Sequence, residues 1–314
     1  MDGSGSAARG EKMKVATLTV YKHVQERAEY TSNALNEAID TVTTGRKIKK
    51  LSDDPFRLAL MLDTRADLAD IDQFERNLEM GEAWLASTEE SLRKVQDRLA
   101  DLQVTSLQML NDSYNKSDRE LAAIEVEEVM NDIMQVTNTD VNGRYIYGGT
   151  STNIEPFVFM NNAGEVVDVS NATRIGYKGD NQPFKIQTQN DNELTVGNDG
   201  SVIFGTMFDT LLKLRDALKN NDVDGIEEQL DPLKAHQEHI SAENSVVGFR
   251  MTRLTFRQSV LDGVNITTKQ KLANLEEVDM TEAISELSIK ELMYQASLAA
   301  SSKVINMKTL MDYI

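Results

Sequence analysis

The chain has three histidines, and two of them stand in the segment His236-Gln237-Glu238-His239. Zinc hydrolases place two histidines four residues apart on one helical face, with a glutamate base beside the first. Here the histidines are three apart and Glu238 abuts the second, so the segment reads as solvated helix surface. Asn221-Asp222-Val223-Asp224-Gly225 opens like a calcium loop, but the apolar Val223 and the missing closing glutamate break that pattern. Gly148-Gly149-Thr150 lacks the Gly-Lys-Ser/Thr of a phosphate loop. Asp53 and Asp54 are adjacent carboxylates that could hold a metal or share a proton, yet Pro55 follows them and marks a helix start. There is no cysteine, which excludes disulfides, thiolate catalysis and Cys-ligated zinc. No catalytic residue, metal ligand or cofactor is assigned, and the chain is read as a non-enzyme.

What the sequence offers instead is helical surface. Ile71, Phe74, Leu78, Gly81, Leu85, Thr88, Leu92, Val95, Leu99, Leu102, Ser106 and Met109 alternate spacings of three and four without a slip. A sustained 3.5-residue repeat is the mark of coiled-coil packing. A helix from Pro55, capped by Asp54, to about Leu110 would be roughly 80 Å long. Before it, Lys14 to Thr44 is predicted helical, with a weaker stripe of Tyr21, Val24, Ala28, Thr31, Leu35, Ala38 and Val42. That stripe needs a partner helix. Gly45 stops it, and Arg46 to Lys50 (RKIKK) reads as a basic linker.

After a polar turn at Asn111 to Ser117, with Ser117 as cap, a helix places Ala122, Val126, Val129, Ile133 and Val136 on one face. Between Asn142 and Gly205 lie nine of the chain's 17 glycines. Asn-Gly and Asp-Gly pairs there punctuate short strand-like runs at Tyr145 to Tyr147, Pro156 to Met160, Phe184 to Gln187 and Val202 to Phe204. Helical pattern returns at Thr206. Another helix is expected from Pro232, capped by Asp231, to about Leu275. A last one opens at Asp279 to Thr281 and runs to the end, striped by Ile289, Met293, Ala296, Ala300, Val304, Met307, Met311 and Ile314.

Lys plus Arg is 33 and Asp plus Glu is 51, a net charge of −18. A surface that acidic repels phosphate backbones, so nucleic acid is not an expected partner. No run of 18 apolar residues appears, so no membrane insertion is expected. Residues 1–12 (MDGSGSAARGEK) read as a tag or disordered extension, with Met13 as the natural start.

Gly45-Arg46-Lys47-Ile48 leading to Leu51-Ser52-Asp53-Asp54-Pro55 resembles the linker and helix start of the flagellin superfamily, and the Asp-Asp-Pro form resembles its hook-associated branch more than flagellin itself. Asn142-Gly143-Arg144-Tyr145-Ile146-Tyr147-Gly148-Gly149-Thr150 is similar to a hairpin of that branch. The closing Leu310-Met311-Asp312-Tyr313-Ile314 is similar to the superfamily's C-terminus. The resemblance runs from Met13 to Ile314. It implies a mainly α, flagellin-like fold with a small β domain, in which long coiled-coil helices from both termini pack together and a β-rich outer domain sits in the middle. The expected domains are 13–51 with 276–314 (terminal tube), 52–148 with 206–275 (rod) and 149–205 (outer domain).

The implied function is a structural adapter joining the hook side of the bacterial flagellum to the flagellin filament. Alternatives are flagellin or another axial filament protein, or a coiled-coil secretion-tip or adhesin protein. The implied partners are the chain itself in a ring, a neighbouring hook-associated protein, flagellin, and an export chaperone on the C-terminal helix. The implied location is extracellular, on the flagellum, after passage through the flagellar type III channel. The residues expected to carry assembly are Leu35, Val42, Ile289, Met293, Ala296, Ala300, Val304, Met307, Met311 and Ile314.

Overall fold

The computed structural model describes the backbone of residues 4–47 and 54–306, and the side chains of Thr19, 21–47 and 54–304. Among the described residues six α-helices, six short strands and one 3-10 turn (Val169–Asn171, between β3 and β4) follow one another: α1 (Ser4–Thr44), α2 (Pro55–Met109), α3 (Lys116–Thr137), β1 (Asp140–Val141), β2 (Arg144–Tyr145), β3 (Phe157–Met160), β4 (Arg174–Tyr177), β5 (Lys185–Gln189), β6 (Asn192–Thr195), α4 (Gly200–Lys219), α5 (Val223–Glu276) and α6 (Met280–Asn306). The mainly helical architecture with a small β region is the one expected.

Two compact units divide the chain, Met1–Leu68 with Ile266–Ile314, and Ala69–Asn265. The expected borders at 51/52 and 275/276 follow the linkers, whereas the observed ones fall inside α2 and α5, each of which is one continuous helix serving both units. The β segment also forms no unit of its own. Helix α1 starts at Ser4 and so takes in most of the expected extension.

In the first unit α1 and α6 pair. The half-buried residues of α1 (Val24, Ala28, Thr31, Leu35, Val42) and the buried Ala38 form its expected stripe, except that Tyr21 at its start is exposed. Gly45 ends α1 at φ +66°, a left-handed stop that suits glycine. The chain beyond it bridges Glu277 antiparallel, with Lys47 N–H donating to the Glu276 carbonyl at 2.9 Å. Glu276 also receives Arg65 Nε at 2.8 Å. At the opening of α2, the Asp54 carboxylate accepts from the Arg57 N–H at 2.9 Å, the expected cap.

In the second unit every residue of the α2 stripe from Ile71 to Met109 is buried. Helix α5 answers with Ile226, Leu233, Ile240, Val247, Leu254 and Leu261, buried at a strict seven-residue interval. The pairs Glu75–Asn265 (2.5 Å) and Glu82–Gln258 (3.1 Å) show that α5 runs antiparallel to α2. Arg98–Asp132 (3.1 Å) and Thr105–Glu125 (3.2 Å) show the same for α3.

Three boundaries depart from expectation, each because a better cap was available. Asn115, not Ser117, starts α3: its side chain accepts from Ser117 and Asp118 N–H while Asp118 returns a bond to the Asn115 N–H. Asp199 caps α4 at Gly200, so Val202 to Phe204 is helical rather than a strand, and Ile203 and Phe204 join Met207 and Phe208 on its buried face. Asp222 caps α5 by accepting from Gly225 N–H at 3.0 Å, leaving Pro232 inside the helix instead of at its start. Asn221–Gly225 is thus a cap and turn.

The strands make three separate antiparallel hairpins. β1 and β2 meet through Asn142 (φ +54°) and Gly143 (φ +77°), a two-residue turn with both central residues left-handed, as the Asn-Gly signal predicts. β3 pairs with β4 and β5 with β6; β4 and β6 were not anticipated. The hairpins share the helical core. Phe184 stacks on Trp84 at 4.7 Å, Ile186 and Val196 lie with Leu254 against Gly81, and Phe157 packs on Phe204 and Phe208. Arg215, buried on α4, donates to the Val169 and Ala172 carbonyls at 2.8 and 3.0 Å.

The β segment therefore seals the helices. Replacing Thr152–Ile203 with a Gly/Ser linker should abolish cooperative melting and shift the emission of Trp84, the only tryptophan, to the red. Ile186→Ala alone should cost about 2–5 kcal/mol in denaturant titration, because it opens a cavity over Gly81.

Candidate assembly surface

The assembly residues expected from sequence separate onto two faces. Leu35 and Val42 are half-buried on α1, along its stripe. On α6, Ile289, Met293, Ala296 and Ala300 are exposed and Val304 is half-buried. The buried Ala283 and the half-buried Leu287, Lys290, Tyr294, Ser297 and Ser301 lie along a different line of α6, again at three-four spacing. The sequence stripe of α6 is thus mostly its free face, and its more covered face is the line from Ala283 to Ser301. Met307, Met311 and Ile314 lie outside the described residues.

The free face is broad. Tyr30, Ile284, Ile289, Leu292 and Met293 are all at least half exposed. Val24, Tyr30 and Thr31 of α1 and Met293, Ala296, Ala300 and Val304 of α6 line a groove of about 480 Å³. Exposed apolar side chains beside such a groove make it the candidate surface for association.

The hairpin motif in the second unit is held by one carboxylate. Asp180 accepts from the Thr150 N–H at 2.8 Å, from the Thr150 hydroxyl, from the Gln182 N–H at 3.1 Å and from the Ser151 hydroxyl at 3.2 Å. These bonds, the Thr150 hydroxyl first among them, hold the carboxyl down at a pKa of about 2. Gly149 (φ +67°) passes so close to Asp180 that a Cβ there would meet its carboxylate and carbonyl. Ahead of this turn, Tyr147 is fully buried edge-on to Phe204 at 4.8 Å, with its hydroxyl donating to the Thr88 carbonyl. Burial raises its pKa far above the ordinary tyrosine value. The Gly-Arg-Tyr-Ile-Tyr-Gly-Gly pattern is therefore a plug (Ile146, Tyr147) followed by a turn too tight for side chains.

The histidine segment is less solvated than its sequence suggested. His236 Nε2 shares a hydrogen bond with Thr210 Oγ1 at 3.0 Å, and burial, then His239, lowers its pKa. Only Glu238 of the segment is fully exposed. No group of three or more His, Cys, Asp or Glu able to hold a metal occurs among the described residues.

Sequence reasoning missed two buried arginines. Arg119 donates to the Met109 carbonyl at 2.9 Å and to Asn221 Oδ1 at 2.7 Å, satisfying the end of α2 and tying it to the α4–α5 turn. Arg215 does similar work for the β segment. Both had a signal: each stands where an apolar stripe, Arg119-Ala122-Val126 or Phe208-Leu211-Arg215-Leu218, calls for a hydrophobe.

Comparison with known proteins agrees with this geometry. Residues 15–152 match the bacterial flagellin N-terminal helical region, and residues 230–314 match the bacterial flagellin C-terminal helical region. The two regions together take in well over half of the chain, and they contain the helices that pair across it. The chain belongs to the flagellin family and is a structural component of the bacterial flagellum. It is similar to flagellin of Listeria innocua, 22% identical over 292 residues covering 93% of this chain and 95% of the relative. It is equally similar to flagellar hook-associated protein 3 of Salmonella typhimurium, 23% identical over 307 residues with the same coverage. Among solved structures it shares its fold with a putative flagellar hook-associated protein from Vibrio parahaemolyticus, at TM-score 0.61 and 17% identity over 72% of this chain and 100% of that one. It also shares it with FlgL of Bacillus cereus, at TM-score 0.55 and 19% identity over 67% and 99%.

Asp180 should be the acid-sensitive point of the hairpin. Its folded pKa lies below the ordinary carboxylate value, so its contribution is present above about pH 4 and is lost as pH falls toward about 2. Asp180→Asn should lower the melting temperature at pH 7 and flatten its decline between pH 5 and pH 2, as followed by circular dichroism.

Proposed function

We propose that this chain is a non-enzymatic adapter at the junction between the flagellar hook and the flagellin filament. The observation that carries the assembly role is the exposed apolar face of α6 beside α1. Identity to flagellin and to hook-associated protein 3 is nearly equal, so the choice between them rests on sequence detail. The Asp54-Pro55 helix start and the Asn142–Thr150 plug and turn favour the junction. The Listeria flagellin relative keeps a filament subunit as the second reading.

In this reading the terminal helices of many copies pack side by side in a ring. One end of the ring meets a neighbouring hook-associated protein and the other meets flagellin. The chain reaches its place through the flagellar type III channel, and before export a chaperone covers the C-terminal helix. Apolar α6 residues that have no cover in one chain support both the chaperone and the ring.

Deleting the gene tests the role. Cells with intact hooks, no filament and flagellin shed into the medium support the adapter. Cells that keep a filament, or that lose the filament because no flagellin protein remains, overturn it. The face itself is tested by Ala296→Leu with Ala300→Leu. In one chain the groove leaves room, so melting temperature should stay close to that of the parent, as for most surface changes. In a packed ring the added bulk should cost about 1–3 kcal/mol per site. Export should persist and motility should fall; full motility would show that these alanines are not packed.

A further inference from the structure

Helix α5 carries two seams, and only one of them is buried. Around the helix from Val247, Leu254 and Leu261 lie Val246, Phe249, Arg253, Phe256 and Val260, again at heptad spacing. Phe249 is 68% exposed and Phe256 65%. Two phenylalanines in water one heptad apart are an uncovered helix-packing face. The charge is also unusual for this chain. From Asn244 to Leu261 there is no carboxylate, only Arg250, Arg253 and Arg257, in a protein of net charge −18. Arg250 bonds Asn198 and Arg257 reaches Gln189, while Arg253 is exposed within the second seam.

A matching surface lies on α3. Leu121 and Ile124 are 64% and 51% exposed, and Glu128 is exposed beyond them. The spacing Leu121, Ile124, Glu128 is three then four. Val246, Phe249, Arg253 has the same spacing. Laid parallel, the two helices put apolar against apolar twice and then carboxylate against guanidinium. Direction fits as well. Both α3 and α5 run antiparallel to α2, so they are parallel to each other. Two copies standing side by side in the same orientation would therefore present α5 of one parallel to α3 of the next.

We propose that the Val246–Phe256 face of α5 docks on the Leu121–Glu128 face of α3 in a second copy of this chain. The two surfaces differ, and the bonds to α2 set Ile124 level with Ser106 and Phe249 level with Ser91, an offset of roughly 22 Å along the helix, so the contact is heterologous and steps from copy to copy along a helical row. Arginine facing glutamate sets the register and disfavours α5 against α5, which would oppose two Arg253. The inference rests on the assembly role proposed above and adds the partner surface.

With no native cysteine, introduced thiols are unique. Flagella from cells carrying Ile124→Cys and Phe249→Cys on one full-length chain are treated with a short bismaleimide. A ladder of covalent oligomers is expected from the double variant. No oligomers are expected from Ile124→Cys alone or Phe249→Cys alone. Dimers from Phe249→Cys alone, or no ladder from the double variant, would overturn the contact. A second arm needs no structural tolerance at Phe249: with thiols placed at Val246 and Leu121, Arg253→Glu should reduce the ladder about tenfold or more, and adding Glu128→Arg should restore it. Failure of restoration would also overturn the pairing. A deletion strain that keeps its filament removes the junction reading and leaves the ladder meaningful. A missing ladder beside a filament-less deletion strain removes only this contact.

Discussion

Everything in the second unit depends on the uninterrupted seam of α2. It is the one element long and regular enough to bury a residue every three or four positions from Ile71 to Met109, and each neighbour is fastened to it or to something that is. α5 must reach it across a sequence separation of 190 residues, the Glu75–Asn265 distance. The length-dependent part of that loop closure is about 4–5 kcal/mol. The opposing term is a stripe of six aliphatic side chains at strict heptad spacing, each contributing about 1.5–3 kcal/mol on full burial. Pairing across so long a separation is therefore favourable only because the seam is long.

That constraint explains the β segment. A long two-helix seam leaves its flanks open, and Trp84 of α2 flanks the seam beside Gly81, whose missing side chain leaves further room. The hairpins supply what fits there: Ile186 and Val196 over the glycine, and Phe184 flat on the indole. Polar anchors then hold loops that have little core of their own. Arg215 grips the carbonyls of Val169 and Ala172, and Asp180 collects the donors around Thr150. The same logic accounts for the Gly148-Gly149 pair, since a turn wrapped round a carboxylate has no volume left for a Cβ.

Much of this was legible in the sequence, and the illegible parts share a cause. Long periodic stripes announce themselves, so α2 and its Asp54 cap, the Gly45 stop and the Asn142-Gly143 turn were all read correctly. Boundaries were misread where two caps competed, as with Asn115 and Ser117 or, two turns apart, Asp222 and Asp231, because only the three-dimensional hydrogen bonds decide between them. Val202 to Phe204 could be strand or helix by pattern alone; Asp199 settles it. The domain borders were placed at linkers, which is sound for separate domains and fails when one helix runs through two units. The candidate surface was half legible. The α6 stripe Ile289, Met293, Ala296, Ala300 was found as an apolar line, but one chain turns it outward and covers the line of Tyr294, Ser297 and Ser301 more.

That inversion is not a matter of side-chain size, since the half-buried line holds Leu287 and Tyr294 and the free one Ala296 and Ala300. Ile289, Leu292 and Met293 are exposed and stabilise little within one chain. Their hydrophobic free energy, about 1.5–3 kcal/mol for each such side chain, becomes available only on association. A unit built this way pairs weakly with itself and has its largest remaining gain in contact with other chains.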